Sequence, residues 1–211
     1  MATATINPTI VGEAVGVSEL YIAKLIKDDA AGYSADTPEI LAPMATVARE
    51  TSTNSKTRYY SDKAMWTDVA EGETKLTIAV PGLTVHAFAE TLGKHYDATK
   101  GKMYDDGSAS DAPYYALGYA INRPDGVQEF HWFLKGKVSI PKDEGETRTD
   151  SINEKTLTLE FTAVTTVAKF QFDTNKIRPC KHVAADTTDT KFNEKDTWFT
   201  KVQTPPAVTA A

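Results

Sequence analysis

Residues Glu129–Ile140 read EFHWFLKGKVSI, and this stretch is the key to the architecture. Phe130, Trp132, Leu134, Val138 and Ile140 share one parity, while Glu129, His131, Lys135, Lys137 and Ser139 share the other. Alternate side chains of a strand point to opposite faces, so the pattern predicts a strand with one buried face and one wet face. His131, on the polar parity, is expected at the surface. A strand of roughly twelve residues is about twice the usual length, which suits a large curved sheet.

The neighbouring segments carry the same period. Tyr115, Leu117, Tyr119 and Ile121 alternate with Ala116, Gly118 and Ala120, whose small side chains imply a closely covered second face. Asn122–Gly126 (NRPDG) is a turn, because proline presets φ and glycine permits positive φ; it makes this strand and the long one a hairpin. Further strands are expected at Leu20–Lys27, Ile40–Arg49, Thr74–Val80, Thr156–Ala163 and around Phe170 and Phe172. One helix stands out: Thr84 is its N-cap, Val85, Phe88, Ala89 and Leu92 follow helical spacing, and Gly93 sits at the C′ position. The polar run Glu50–Arg58 leads to Tyr59, Tyr60 and Trp66, and the segment Glu50–Asp68 reads as a mobile hairpin or loop. After Pro179 the periodicity fades, with Phe192, Trp198 and Phe199 as possible anchors and Gln203–Ala211 as a flexible tail.

The expected architecture is therefore mainly β: two packed antiparallel sheets, a sandwich or open barrel, with one short flanking α-helix. Residues 1–178 form the β domain, with an N-terminal arm and a long loop near 50–68; residues 179–211 form a partly flexible extension.

A net charge of −6 disfavours general binding to nucleic-acid phosphates. Cys180 is the single cysteine, so no intrachain disulfide forms and the fold suits a reducing compartment. Met1–Gly16 lacks a signal-peptide pattern, and no apolar run approaches the roughly 20 residues that span a bilayer. Cytoplasmic synthesis and no membrane partner are the expectation.

Chemistry-bearing residues are sparse. His86 and Glu90 fall four apart on the helix, but no H-E-x-x-H pattern or third ligand accompanies them, and a solvated helix face is the plainer reading. Cys180 has no evident base beside it. The acidic run holding Asp143, Glu144, Glu146 and Asp150 lacks the alternating spacing of a calcium loop and reads as a solvated loop. No phosphate loop, nucleophile elbow or C-x-x-C is present. No enzyme activity, cofactor or metal is expected. Tyr59, Tyr60 and Trp66 read either as aromatics packed at a hairpin base or as a platform for a sugar or a partner protein.

The segment from Ala112 to Phe161 resembles the major tail protein of long-tailed bacteriophages, in the family found in phages and prophages of Gram-positive bacteria. The resemblance rests on the ALG strand, on Trp132, Lys135, Gly136 and Lys137, and on Pro141, Gly145, Glu146, Thr147, Asp150 and Ser151; matches in the same order extend it over about Val15–Phe172. It implies a virion protein made in the host cytoplasm. Copies would form hexameric rings, stacked into a tail tube through which DNA passes without sequence-specific contact. The implied partners are the chain itself and the tape measure, tail terminator and distal tail proteins. Thr53, Asn54, Ser55, Lys56, Tyr59, Tyr60 and Trp66 are then the candidate inter-subunit contacts, and the resemblance makes Asp143, Glu144, Glu146 and Asp150 a candidate lumen or interface loop. A carbohydrate-binding or adhesion β-sandwich using Tyr59, Tyr60 and Trp66 is the alternative.

Overall fold

The computed structural model describes residues 12–107, 112–142, 156–173 and 175–208. Its strands are β1 (Gly16–Val17), β2 (Glu19–Asp29), β3 (Gly32–Ala35), β4 (Glu39–Pro43), β5 (Thr46–Tyr60), β6 (Lys63–Val80), β7 (His95–Asp97), β8 (Lys102–Tyr104), β9 (Tyr115–Asn122), β10 (Gln128–Lys142), β11 (Leu157–Ala163), β12 (Lys169–Asp173), β13 (Lys176–Pro179) and β14 (His182–Asp186). The helix α1 spans Val85–Leu92. The protein is mainly β.

Ten strands join in one sheet. Its path runs β3-β2-β9-β10-β11-β6-β5, with β4 on β2, β1 on β9 and β14 on β10. The ladders are antiparallel. Strand β4 binds near one end of this path and β5 forms the other end, yet only Met44 and Ala45 separate them in the chain. Ala45 donates its N–H to the Ala79 carbonyl of β6 at 2.8 Å. The two ends of the sheet therefore meet, and the sheet curls into an open barrel.

Leu20, Leu76, Ile78, Tyr119, Phe133, Val138 and Phe161 fill the barrel's interior. Helix α1 packs Phe88 and Leu92 against that core. The Thr84 hydroxyl accepts the Ala87 N–H at 3.2 Å, and Gly93 takes a left-handed φ of 68°, so both helix ends match the sequence pattern.

The outer face carries a second core. Phe130, Trp132, Leu134, Ala116 and Ala120 meet Ala168, Phe170, Cys180 and Trp198 there. The small residues of β9 make room for this layer: a Cβ on Gly118 would lie 2.8 Å from the Trp132 ring. β10 is thus buried on both faces along Phe130–Leu134, which corrects the expected one-sided strand. His131 is 2 % exposed, not on the surface. The uniform parity also fails. The register against β9 shifts between Phe133 and Gly136, so Val138 joins Phe133 inside the barrel while Phe130, Trp132 and Leu134 face outward. One inserted residue swaps the faces downstream.

The cover of the outer face comes largely from the segment after Pro179. β14 pairs with β10 over Glu129–Phe133. Phe199 stacks on Tyr21 with centroids 4.1 Å apart, and the Trp132 indole N–H donates to the Trp198 carbonyl at 3.3 Å. Gln203 is buried, the Gln171 N–H donates to Pro206 O at 2.9 Å, and Ala207 bridges Phe170. These residues are docked, contrary to the expected flexible tail.

Candidate functional site

Beyond Thr74, β6 loses its β11 partner and pairs with β5 alone, so the two strands leave the barrel as a two-stranded ribbon. The turn explains its regularity. Ser61 and Asp62 both have positive φ, 52° and 59°, as a two-residue type I′ hairpin requires. Of the hairpin or loop expected over Glu50–Asp68, the structure has the hairpin, and its first arm, Glu50–Arg58, is strand throughout. Its Thr/Ser/Asn composition reflects solvent on both faces, with no core for alternation to register.

The ribbon gathers the candidate contact residues Thr53, Asn54, Ser55, Lys56, Tyr59, Tyr60 and Trp66 onto one element. The aromatics lie at its tip, not at its base. Trp66 is 59 % exposed, and Tyr59, Tyr60, Met65 and Val69 are exposed with it. Tyr60 meets Trp66 edge-on, 5.5 Å between centroids and 78° between planes. Trp66 opposes Arg58, whereas Val69 opposes Ser55 on the alternate face with Thr57 and Thr67, so apolar groups project from both sides of the ribbon. Polar cross-strand pairs hold the register: Thr57 and Thr67 hydroxyls at 3.1 Å, and Arg58 with Asp68 at 3.1 Å.

An isolated two-stranded hairpin is marginal in water, and a ribbon apolar on both faces has no cover of its own. Its outer edges also present unpaired backbone groups to any added strand.

The other candidates fall elsewhere. Asp143, Glu144, Glu146 and Asp150 lie outside the described residues. His86 and Glu90 face solvent, 3.6 Å apart, with His86 against the Tyr96 ring. They border an open cleft of about 650 Å³ between α1 and the β2–β4 edge, whose rim mixes Lys24, Asp36, Glu39 and Glu90. Among the described residues, no three His, Cys, Asp or Glu side chains group as a metal site, and no helix is long and apolar enough to cross a membrane. Cys180 is buried, and that burial pushes its thiol up.

Two lysines of β10 are held internally. Lys135 contacts Asp28 at 2.6 Å, and both Lys135 and Lys137 lie 4.8 Å from the Tyr114 ring centroid. The 3 %-exposed Asp28 side chain also accepts the N–H groups of Val167 and Ala168. Burial raises the Asp28 pKa, but the Ala168, Lys135 and Val167 bonds outweigh it and hold it below the usual range. Sequence reasoning missed Asp28, whose partner amides lie about 140 positions away.

No family model matches the chain, and no curated protein does. Among solved structures, a chain from the six-fold symmetrised baseplate of the anti-feeding prophage is similar at a TM-score of 0.37 and 8 % identity, over 83 % of this chain and 97 % of that one. The likeness is distant.

Proposed function

We propose that this chain is a structural, non-enzymatic subunit that assembles with copies of itself through the β5–β6 ribbon, as the tail tube protein of a phage virion. The ribbon is the observation that carries the reading: it projects from a well-packed barrel and displays Tyr59, Tyr60, Met65, Trp66 and Val69 with no cover in the single chain. A neighbouring subunit supplies that cover, and copies arranged as six-membered rings stack into a hollow tube. A net charge of −6 suits a wall past which DNA slides, since it offers phosphates little to hold them. The tape measure, terminator and distal tail proteins are the partners at the lumen and ends of such a tube.

Negative-stain microscopy of the concentrated protein tests this. Hollow tubes or six-fold rings are expected; dispersed monomers that persist with a tail initiation complex added would overturn it. The adhesion reading draws on the exposed Tyr60 and Trp66, but their near-perpendicular rings offer a sugar no common flat face. Glycan-array binding by a stable monomer would favour that reading instead.

A further inference from the structure

β14 leads into the segment that covers the outer core, and one of its side chains meets a buried partner on β10. His131 Nδ1 lies 3.0 Å from His182 Nε2, with the rings stacked at 5.2 Å between centroids and 20° between planes. A contact of this kind needs one N–H and one lone pair. The other nitrogen, His131 Nε2, is buried and makes no hydrogen bond, although Glu129 Oε1 lies 3.3 Å away.

Every packed element contributes to the surroundings. Tyr119 of β9 and Phe133 of β10 lie against the two imidazoles. Glu129 of β10 is the nearby carboxylate, and it is already held by Arg123 at 2.6 Å. Arg49 of β5, Arg123 and Lys181 add positive charge around the pair.

We infer that His131 and His182 form an acid-released latch, which holds β14 on β10 while the pair carries at most one extra proton and frees it when both rings are charged.

The proton count supports the threshold. In the neutral pair one N–H bridges Nδ1 and Nε2. A first added proton fits: His131 then carries both protons, with Nδ1–H directed at the His182 lone pair and Nε2–H directed at Glu129. A second proton, on His182 Nε2, sets N–H against N–H at 3.0 Å, and two like charges face one shared carboxylate. Burial is the chief reason both rings resist protonation, and the neighbouring cations add to it. Because a histidine's folded pKa is depressed here, the contribution to folding is complete at neutral pH. It is lost as pH falls below the ordinary value of about 6.5. Release of β14 uncovers the β10 edge along Glu129–Phe133.

Hydrogen exchange of the full chain, corrected for the intrinsic pH dependence of amide exchange, tests the latch. Between neutral pH and about pH 5, amides of His182–Asp186 should lose protection about tenfold while the β6–β11 ladder keeps its own. His182→Phe, which retains a ring against Phe133 but leaves His131 to titrate alone, should reduce that pH dependence markedly. The latch is overturned if β14 is insensitive to pH, if all ladders open together, or if His182→Phe responds to acid as strongly as the unsubstituted chain. Should the variant fail to fold, exchange in the unsubstituted chain decides alone.

Discussion

Gly118 and Asp28 show how single residues set this packing. Any side chain at position 118 enters the Trp132 ring, so Gly118→Ala should cost about 2 kcal/mol through overpacking and lower the melting temperature by about 6 °C, read by calorimetry. Asp28 ties β2, β10 and the β11–β12 connection together. Asp28→Asn should cost about 3 kcal/mol at neutral pH, because Lys135 keeps its buried charge without its partner. The folded pKa of Asp28 is depressed, so its contribution is present above about pH 4 and fades as pH falls further. Wild type and variant should therefore converge in acid, which urea titrations at several pH values would check. The small residues of β9 made Gly118's covered face legible from alternation alone. His131 was not legible: a titratable residue on a polar parity looks wet unless one knows that β14 pairs beside it, and that contact is remote in sequence.

Among the elements, helix α1 was readable to its caps because every signal for it is local. The long strand was only half readable. Its period located it, but the register shift before Gly136 exchanges the faces of the residues beyond it, and no residue type marks that shift uniquely. The β5–β6 ribbon was legible only as a hairpin or a loop, for a different reason: with solvent on both sides it has no alternation to separate the two, and it is held by a turn and a ladder. Its aromatics contribute little to the fold of one chain. Tyr60→Ser combined with Trp66→Ser should leave the monomer's melting temperature within about 1 °C, since exposed substitutions away from packing are near neutral. The same double variant should abolish sedimentable assemblies, and deletion of Thr53–Thr57 should shorten or eliminate tubes. A large drop in monomer stability would mean that the ribbon serves the fold and not assembly.

For the whole molecule, two cores share one sheet, and the second is completed late in the sequence. Trp198→Ala should cost about 4 kcal/mol in denaturant unfolding, because it opens the outer layer over Phe130 and Phe192. The mainly β class with one short helix was foreseeable from many long strands, while sandwich and barrel stayed undecided; of the outer layer only the anchors Phe192, Trp198 and Phe199 were legible, as its aromatics are too widely spaced to show a period. The ribbon's construction also bears on the order of folding. Its ladder joins neighbours in sequence, beginning at Tyr60 and Lys63, whereas Asp28 must find amides about 140 positions away. Hairpins form in roughly microseconds, and sheets built from distant pairings take roughly milliseconds to seconds. Pulse-labelled exchange during refolding should find the ribbon protected first. On the assembly role proposed for the ribbon, the adhesive tip of each copy would exist before its body does, and crowded synthesis would expose it to premature partners unless something shields it.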